Sequence, residues 1–183
     1  MQPTAEQFTE KAWTAIMSAQ QLAQSRRHQQ LESEHLLRAL LDQEGLAARI
    51  LDKAGVSPPA LQTAVDSYLS QQPSLSNAPD SVFLGKGLNA LLDQAESLKQ
   101  SYGDSFISIE HLLLALADDG RCGRQLLGQA GTDTSRLKTA INAVRGSQKV
   151  TDQNPEGTYE SLEKYGRDLT SAARDGKLDP VIG

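Results

Sequence analysis

The sequence predicts an all-α fold, an eight-helix domain made of two tandem four-helix repeats related by pseudo-twofold symmetry, followed by a linker and one further helix. Three observations predict it. Residues 19–66 recur without a gap at residues 95–142, in a register that pairs Glu34-His35-Leu36-Leu37 with Glu110-His111-Leu112-Leu113 and Ala54-Gly55 with Ala130-Gly131, an offset of 76. That register holds through helices and loops alike, which marks a duplication. Apolar residues recur at spacings of three and four, with no strand-like alternation of useful length. Two like units of this size pack most simply face to face, and the seam between them is the natural place for a groove.

In the first helix Phe8, Ala12, Ile16, Ala19 and Ala23 form one apolar stripe. Thr4-Ala5-Glu6-Gln7 fits a capping box, whereas Thr9 as cap puts Phe8 and Trp13 in the positions of a hydrophobic staple. The repeat favours Thr9, because its partner is Gly85 and Leu84 stands where Phe8 stands. Ser33 can cap a short helix from Glu34 to Leu41, with Glu34 in the dipole-favoured first turn. Gly45 interrupts, a helix over about Leu46 to Ala54 stops at Gly55, and Ser57-Pro58-Pro59 opens a fourth that runs to about Leu69. Polar, proline-containing Gln71 to Ser81 reads as the connector between halves. The second copy follows the same plan: a helix from about Lys86 to Ser101, one capped by Ser108, one ending at Gly131, and one capped by Asp133 that ends near Arg145-Gly146. The expected domain spans residues 1–146, with repeats at about 4–71 and 81–146. Residues 147–158 are polar and expected to be a flexible linker, a last helix is expected over about Ser161 to Arg174, and the Val181-Ile182-Gly183 ending reads as a cut through a larger protein.

Composition excludes several classes. A net charge of −5 with interspersed signs lacks the basic stripe of a nucleic-acid surface. The single cysteine, Cys122, precludes an internal disulfide and fits a reducing compartment. No signal peptide and no apolar run near the ~20 residues of a membrane span is visible, so a soluble cytoplasmic protein is expected. Gly85-Lys86-Gly87 lacks the spacing and hydroxyl of a phosphate-binding loop, and neither a nucleophile elbow nor H-E-x-x-H is present. His35 and His111 read as residues that pack or cap equivalent helices, and Cys122 reads as an inert thiol. The fragment is therefore expected to be neither an enzyme nor a holder of metal or cofactor. What remains is recognition. Asp104 and Glu110 flank Phe106-Ile107, while His28 stands at the counterpart of Asp104. That asymmetry is either drift or an acidic mouth of the seam suited to extended segments with apolar and basic side chains.

Phe8-Thr9-Glu10-Lys11-Ala12, Glu34-His35-Leu36-Leu37, Gly103-Asp104-Ser105-Phe106-Ile107-Ser108 and the tail, Leu162 to Thr170 and Gly176 to Gly183, together resemble the N-terminal region of ClpB-type disaggregases. The resemblance covers essentially the whole chain and makes 159–183 the start of a first AAA+ ATPase domain. It implies a double repeat on a mobile linker above a homohexameric, ATP- and magnesium-dependent ring, working with an Hsp70-type chaperone system. In that arrangement the domain, itself a monomer, receives unfolded or aggregated polypeptide before it is threaded through the pore. Positions matching the family's substrate-binding residues are Thr9, Asp104 and Glu110. Thr9 doubles as a helix cap and Glu110 as a first-turn carboxylate. The resemblance also admits an adaptor-docking regulatory domain of a proteolytic Clp ATPase such as ClpC.

Overall fold

The computed structural model describes residues 1–155. The helix expected over Ser161 to Arg174 and the tail Asp179 to Gly183 lie outside the described residues. Helices α1 (Glu10–Ser25), α2 (Ser33–Asp42), α3 (Leu46–Lys53) and α4 (Pro58–Ser70) make the first repeat. Helices α5 (Lys86–Ser101), α6 (Ile109–Ala117), α7 (Gly123–Gln129) and α8 (Thr134–Arg145) make the second. The two candidate starts of the chain are both used. Thr4 opens a short 3-10 turn over Ala5–Gln7, its amide donating to Gln7 Oε1 at 2.8 Å. Thr9 then caps α1, its Oγ1 accepting from the Ala12 amide at 3.3 Å. The Phe8 and Trp13 rings meet at 5.7 Å, completing the staple.

The stripe of α1 is buried as its spacing requires, with Phe8, Ala12, Ile16, Ala19 and Ala23 all withdrawn from solvent. Small alanines let α2 approach closely along this face. All nine residues of α6 are buried. A helix buried on every side belongs in a core, and α6, apolar but for Glu110 and His111, touches α1, α2, α3, α5, α7 and α8. Gly55 (φ +83°) and Gly131 (φ +96°) end α3 and α7 in the left-handed conformation that a side chain disfavours.

The repeats pack about a pseudo-twofold axis. Helix α3 lies on α8 while α7 lies on α4, and α1 lies on α6 while α5 lies on α2; the 76-residue offset converts each contact into its mate. Two short parallel pairings obey the same rule. Strand β1 (Gln30–Leu31) pairs with β2 (Phe83–Leu84), and Phe8 forms a bridge with Ile107. Leu31 and Ile107 are equivalent positions, as are Leu84 and Phe8. The Gly85 amide donates to Leu31 O at 2.9 Å, as the Thr9 amide does to Ile107 O at 2.9 Å. Two-residue strands have no alternation to detect, so periodicity had nothing to read there.

Residues 147–155 differ from expectation. This stretch of the expected flexible linker, which runs over 147–158, is fastened to the domain: Val150 is fully buried, and its carbonyl accepts from the Ser105 amide at 2.8 Å. One valine among polar residues is a weak periodic signal, yet it is enough to dock a strap when a matching hydrophobic site exists.

Candidate functional site: two polar centres at the seam

Each repeat carries a polar centre where its second helix begins, and the two centres are built alike. In the second repeat, Ser108 caps α6 and its amide donates to His111 Nδ1 at 2.9 Å. That bond fixes the tautomer, so His111 Nε2 carries the proton and donates to Asp104 Oδ2 at 2.7 Å. Arg145, at the end of α8, forks onto Asp104 at 2.8 and 2.6 Å and reaches Glu110 at 3.4 Å. It also meets the Gln148 carbonyl and the face of Tyr102, 5.2 Å from the ring centroid. Burial by itself would raise the Asp104 pKa. The bonds from His111, Arg145 and the Val150 amide outweigh it and hold this carboxyl well below the usual range. Glu110 goes the other way: burial pushes its pKa up, against the lowering influence of His111 and Arg145 beside it. Its carboxyl also contacts the Ser108 hydroxyl.

Thr9, Asp104 and Glu110 are brought to one end of the seam, around Ile107, whose carbonyl accepts the Thr9 amide. None of them edges an open cleft. Thr9 and Glu110 are fully buried and Asp104 is 7% exposed. The acidic mouth expected from sequence is filled by the Arg145 guanidinium and by Val150. Sequence reading missed Arg145, although a signal existed: the offset maps it onto Leu69, a buried apolar position. A cation at such a place needs carboxylates nearby.

The first repeat leaves its centre open. A cavity of about 190 Å³ is lined by His28, Gln29, Glu34, His35, Pro73 and Arg121, among others. His28 occupies the place of Asp104, and its Nδ1 lies 2.8 Å from His35 Nε2. The Glu32 amide donates to His35 Nδ1 at 3.0 Å, so His35 donates its Nε2 proton to His28. Burial lowers both imidazole pKa values, that of His35 to about 4. Glu34 pairs with Arg121 at 2.8 and 2.9 Å, a tie that crosses from one repeat to the other. Beside the cavity the chain shows large apolar side chains to solvent: Phe83 is 60% exposed and Leu75 38%. Their amides bond to the carbonyls of Gln29 and Arg27, which places both next to the His28 loop.

Glu32 corrects the expected cap of α2. The helix starts at Ser33 with Glu32 before it, the position that Ser108 holds in the other copy. The Glu32 carboxylate accepts the Leu88 amide at 2.9 Å, inside the first turn of α5. A Cβ on Gly85 would sit 2.1 Å from its Cδ, so glycine there admits the carboxylate that replaces the missing cap side chain. Cys122 is buried against the Ser33 hydroxyl at 3.4 Å, and burial pushes its thiol pKa up to about 12. Among the described residues no group of three or more His, Cys, Asp or Glu could hold a metal ion, and no helix is long and apolar enough to cross a membrane.

The family model of the Clp repeat N-terminal domain matches residues 7–127, and the chain belongs to that family. Over its whole length it is 69% identical to chaperone protein ClpB 1 of Parasynechococcus marenigrum, of which it spans 21%. Among solved structures it resembles the Hsp104 N-terminal domain from Candida albicans, with a TM-score of 0.72, 26% identity, and coverage of 82% of this chain and 99% of that one. It also resembles the N-terminal domain of the ClpV1 ATPase from E. coli, with a TM-score of 0.66, 27% identity, and coverage of 82% and 91%. The described residues thus form a Clp repeat N-terminal domain. The chain spans about a fifth of the ClpB chaperones it matches.

Proposed function

We propose that this chain is the client-receiving domain of an ATP-dependent, cytoplasmic ClpB-type disaggregase, binding unfolded or aggregated polypeptide weakly between its repeats and passing it to the pore of a hexameric ring. The observation that carries this reading is the 69% match to a ClpB chaperone over the whole of this chain and 21% of that relative. The exposed Phe83 and Leu75 beside a polar cavity add a physical reason, since isolated apolar contacts over a small area give weak, sequence-tolerant binding. ATP, magnesium and an Hsp70-type partner belong, on this reading, to the longer protein, whose nucleotide-binding loop motif is not in this sequence. Thr9, Asp104 and Glu110 enter the proposal as residues that shape the client surface, because their side chains are committed to internal bonds. The adaptor-docking alternative draws on the shared fold alone.

The test is binding of fluorescent α-casein, a natively unstructured probe, to the 183-residue chain by anisotropy. Replacing Phe83 by Ser and Leu75 by Ser should weaken binding several-fold with the helical circular dichroism unchanged. Absence of binding by the parent chain overturns the function. Equal binding by the double variant moves the client off this patch.

A further inference from the structure

We infer that residues 147–153 are a displaceable internal occupant of a client-binding edge, and that this edge takes an extended segment carrying a single branched aliphatic side chain. The inference rests on the proposed function and specifies the partner chemistry and its regulation. The strap docks as an extended peptide would. The Val150 amide donates to Asp104 Oδ1 at 2.9 Å and its carbonyl accepts the Ser105 amide at 2.8 Å, a two-sided backbone grip. Its side chain is fully buried and joins the hydrophobic core. Downstream, Gln153 reaches across the seam: its side chain donates to the carbonyls of Ala5 and Phe8 at 3.2 and 3.1 Å, and its carbonyl accepts the Glu10 amide at 2.8 Å. The strap therefore touches both repeats, at the end where Thr9, Asp104 and Glu110 meet. Arg145 stays at the end of α8 and presents its guanidinium to the Gln148 carbonyl at 2.7 Å, so a peptide carbonyl is part of what this edge accepts.

Hydrogen bonds of Gln148, Lys149, Val150 and Gln153 and a single apolar side chain hold the strap. One apolar side chain goes in, flanked by exposed Ser147, Gln148, Lys149, Thr151 and Asp152. Against it stands the entropy of ordering the segment. Opening would bare an unpaired Ser105 amide, the Asp104 carboxylate and the Val150 site, all three placed for another extended chain. The internal segment competes at an effective concentration in the millimolar range, so it rejects weak random contacts and yields to multivalent clients such as aggregates. The first repeat supplies the contrast. Its connector runs through Gln72 and Pro73 at the corresponding place, with serine at the counterpart of Val150, and a cavity is left there.

The experiment uses the 183-residue chain and its Val150→Ser variant, with α-casein as probe. Amide exchange at Ser105 reports whether the strap is docked. Releasing a strap closed about nine-tenths of the time should raise casein affinity about tenfold, because apparent affinity scales with the competent fraction. A synthetic peptide of residues 146–155 should bind the variant and compete with casein. Faster Ser105 exchange with unchanged casein affinity overturns the inference while leaving the proposed function standing. Loss of casein binding in both proteins overturns both. Should Val150→Ser perturb the helices, Gln153→Ala, which removes only the cross-seam side-chain bonds, must show the same direction of change, and weaker casein binding in it counts against the inference.

Discussion

Replacing Arg145 by methionine isolates the most concentrated electrostatic feature of the domain. Methionine keeps most of the apolar stem and removes the guanidinium, so packing changes little. Lost with it are the fork onto Asp104 at 2.8 and 2.6 Å, the 3.4 Å contact with Glu110, and the bonds to the Gln148 carbonyl at 3.0 and 2.7 Å. Two carboxyls then remain buried without their cation, which costs about 3–5 kcal/mol. With a urea slope of about 2 kcal/mol per molar, the unfolding midpoint should fall by about 2 M at pH 7. Acidity separates this cause from a packing defect. In the parent chain Asp104 has a lowered pKa, so its stabilisation is present above the unfolded value of about 3.9 and is lost only as pH falls through the folded one. Glu110 has a raised pKa, so its protonation favours the fold, a contribution full below about 4.3 and lost as pH rises through the folded value. Without Arg145 both carboxyls titrate upward, and the deficit of the variant should narrow between pH 7 and pH 5. Urea titrations followed at 222 nm measure this directly. A midpoint shift under about 0.5 M, or a deficit that widens on acidification, refutes the account.

Gly85→Thr should destabilise by about 2 kcal/mol, because its Cβ meets the Glu32 carboxylate and displaces the cap of α5. Adding Glu32→Ser recreates the Thr9–Ser108 arrangement of the other half, so a double-mutant cycle should return at least about 1 kcal/mol of favourable coupling; additive losses would contradict the exchange. The folded pKa of His35, about 4, lies below its ordinary 6.5. The stability it contributes is therefore present above pH 6.5 and lost as pH falls towards 4, and an NMR titration of His35 centred near 6.5 would show this wrong. Cys122, with its thiol pushed up to about 12, should react with a disulfide reagent at pH 8 only after denaturation, whereas prompt reaction of the folded chain would mean an accessible thiolate.

The fold was legible because duplication supplies its own control. Thr9 was chosen over Thr4 as the α1 cap by comparison with Gly85, and the structure gives Thr9 that role. The same comparison applied to Ser33 would have corrected its own error, since Ser108 maps to Glu32. Glutamate is an unusual cap, and only the distant α5 turn explains it: Glu32 serves a helix 56 residues away in sequence. The proximity of the candidate residues was legible in the sequence, and their burial was not. Asp104 and Glu110 do lie together, but their burial depends on Arg145, which is 41 and 35 residues from them. No local pattern encodes that meeting. Strap residues 147–155 failed for a different reason. A polar composition predicts poor folding on its own and says nothing of docking onto a surface already formed.

Both centres set one arginine against buried carboxylates, yet the arginines come from opposite sides. Arg145 ends the last helix of its own repeat, so the second repeat satisfies Asp104 and Glu110 by itself. Arg121 precedes α7 and crosses the seam to Glu34, so the first repeat depends on the second for its buried charge. Arg121→Ala should accordingly do its damage in the half that does not contain it. Glu34 is 1% exposed and would lose a bidentate partner, a loss of about 2 kcal/mol for bonds to a charged group. Amide exchange should quicken in α2, which Glu34 opens, and stay slow in α6, whose Glu110 keeps Arg145. Uniform quickening in both helices would mean that the repeats unfold as one unit, and the dependence of one half on the other would not be the feature that joins them.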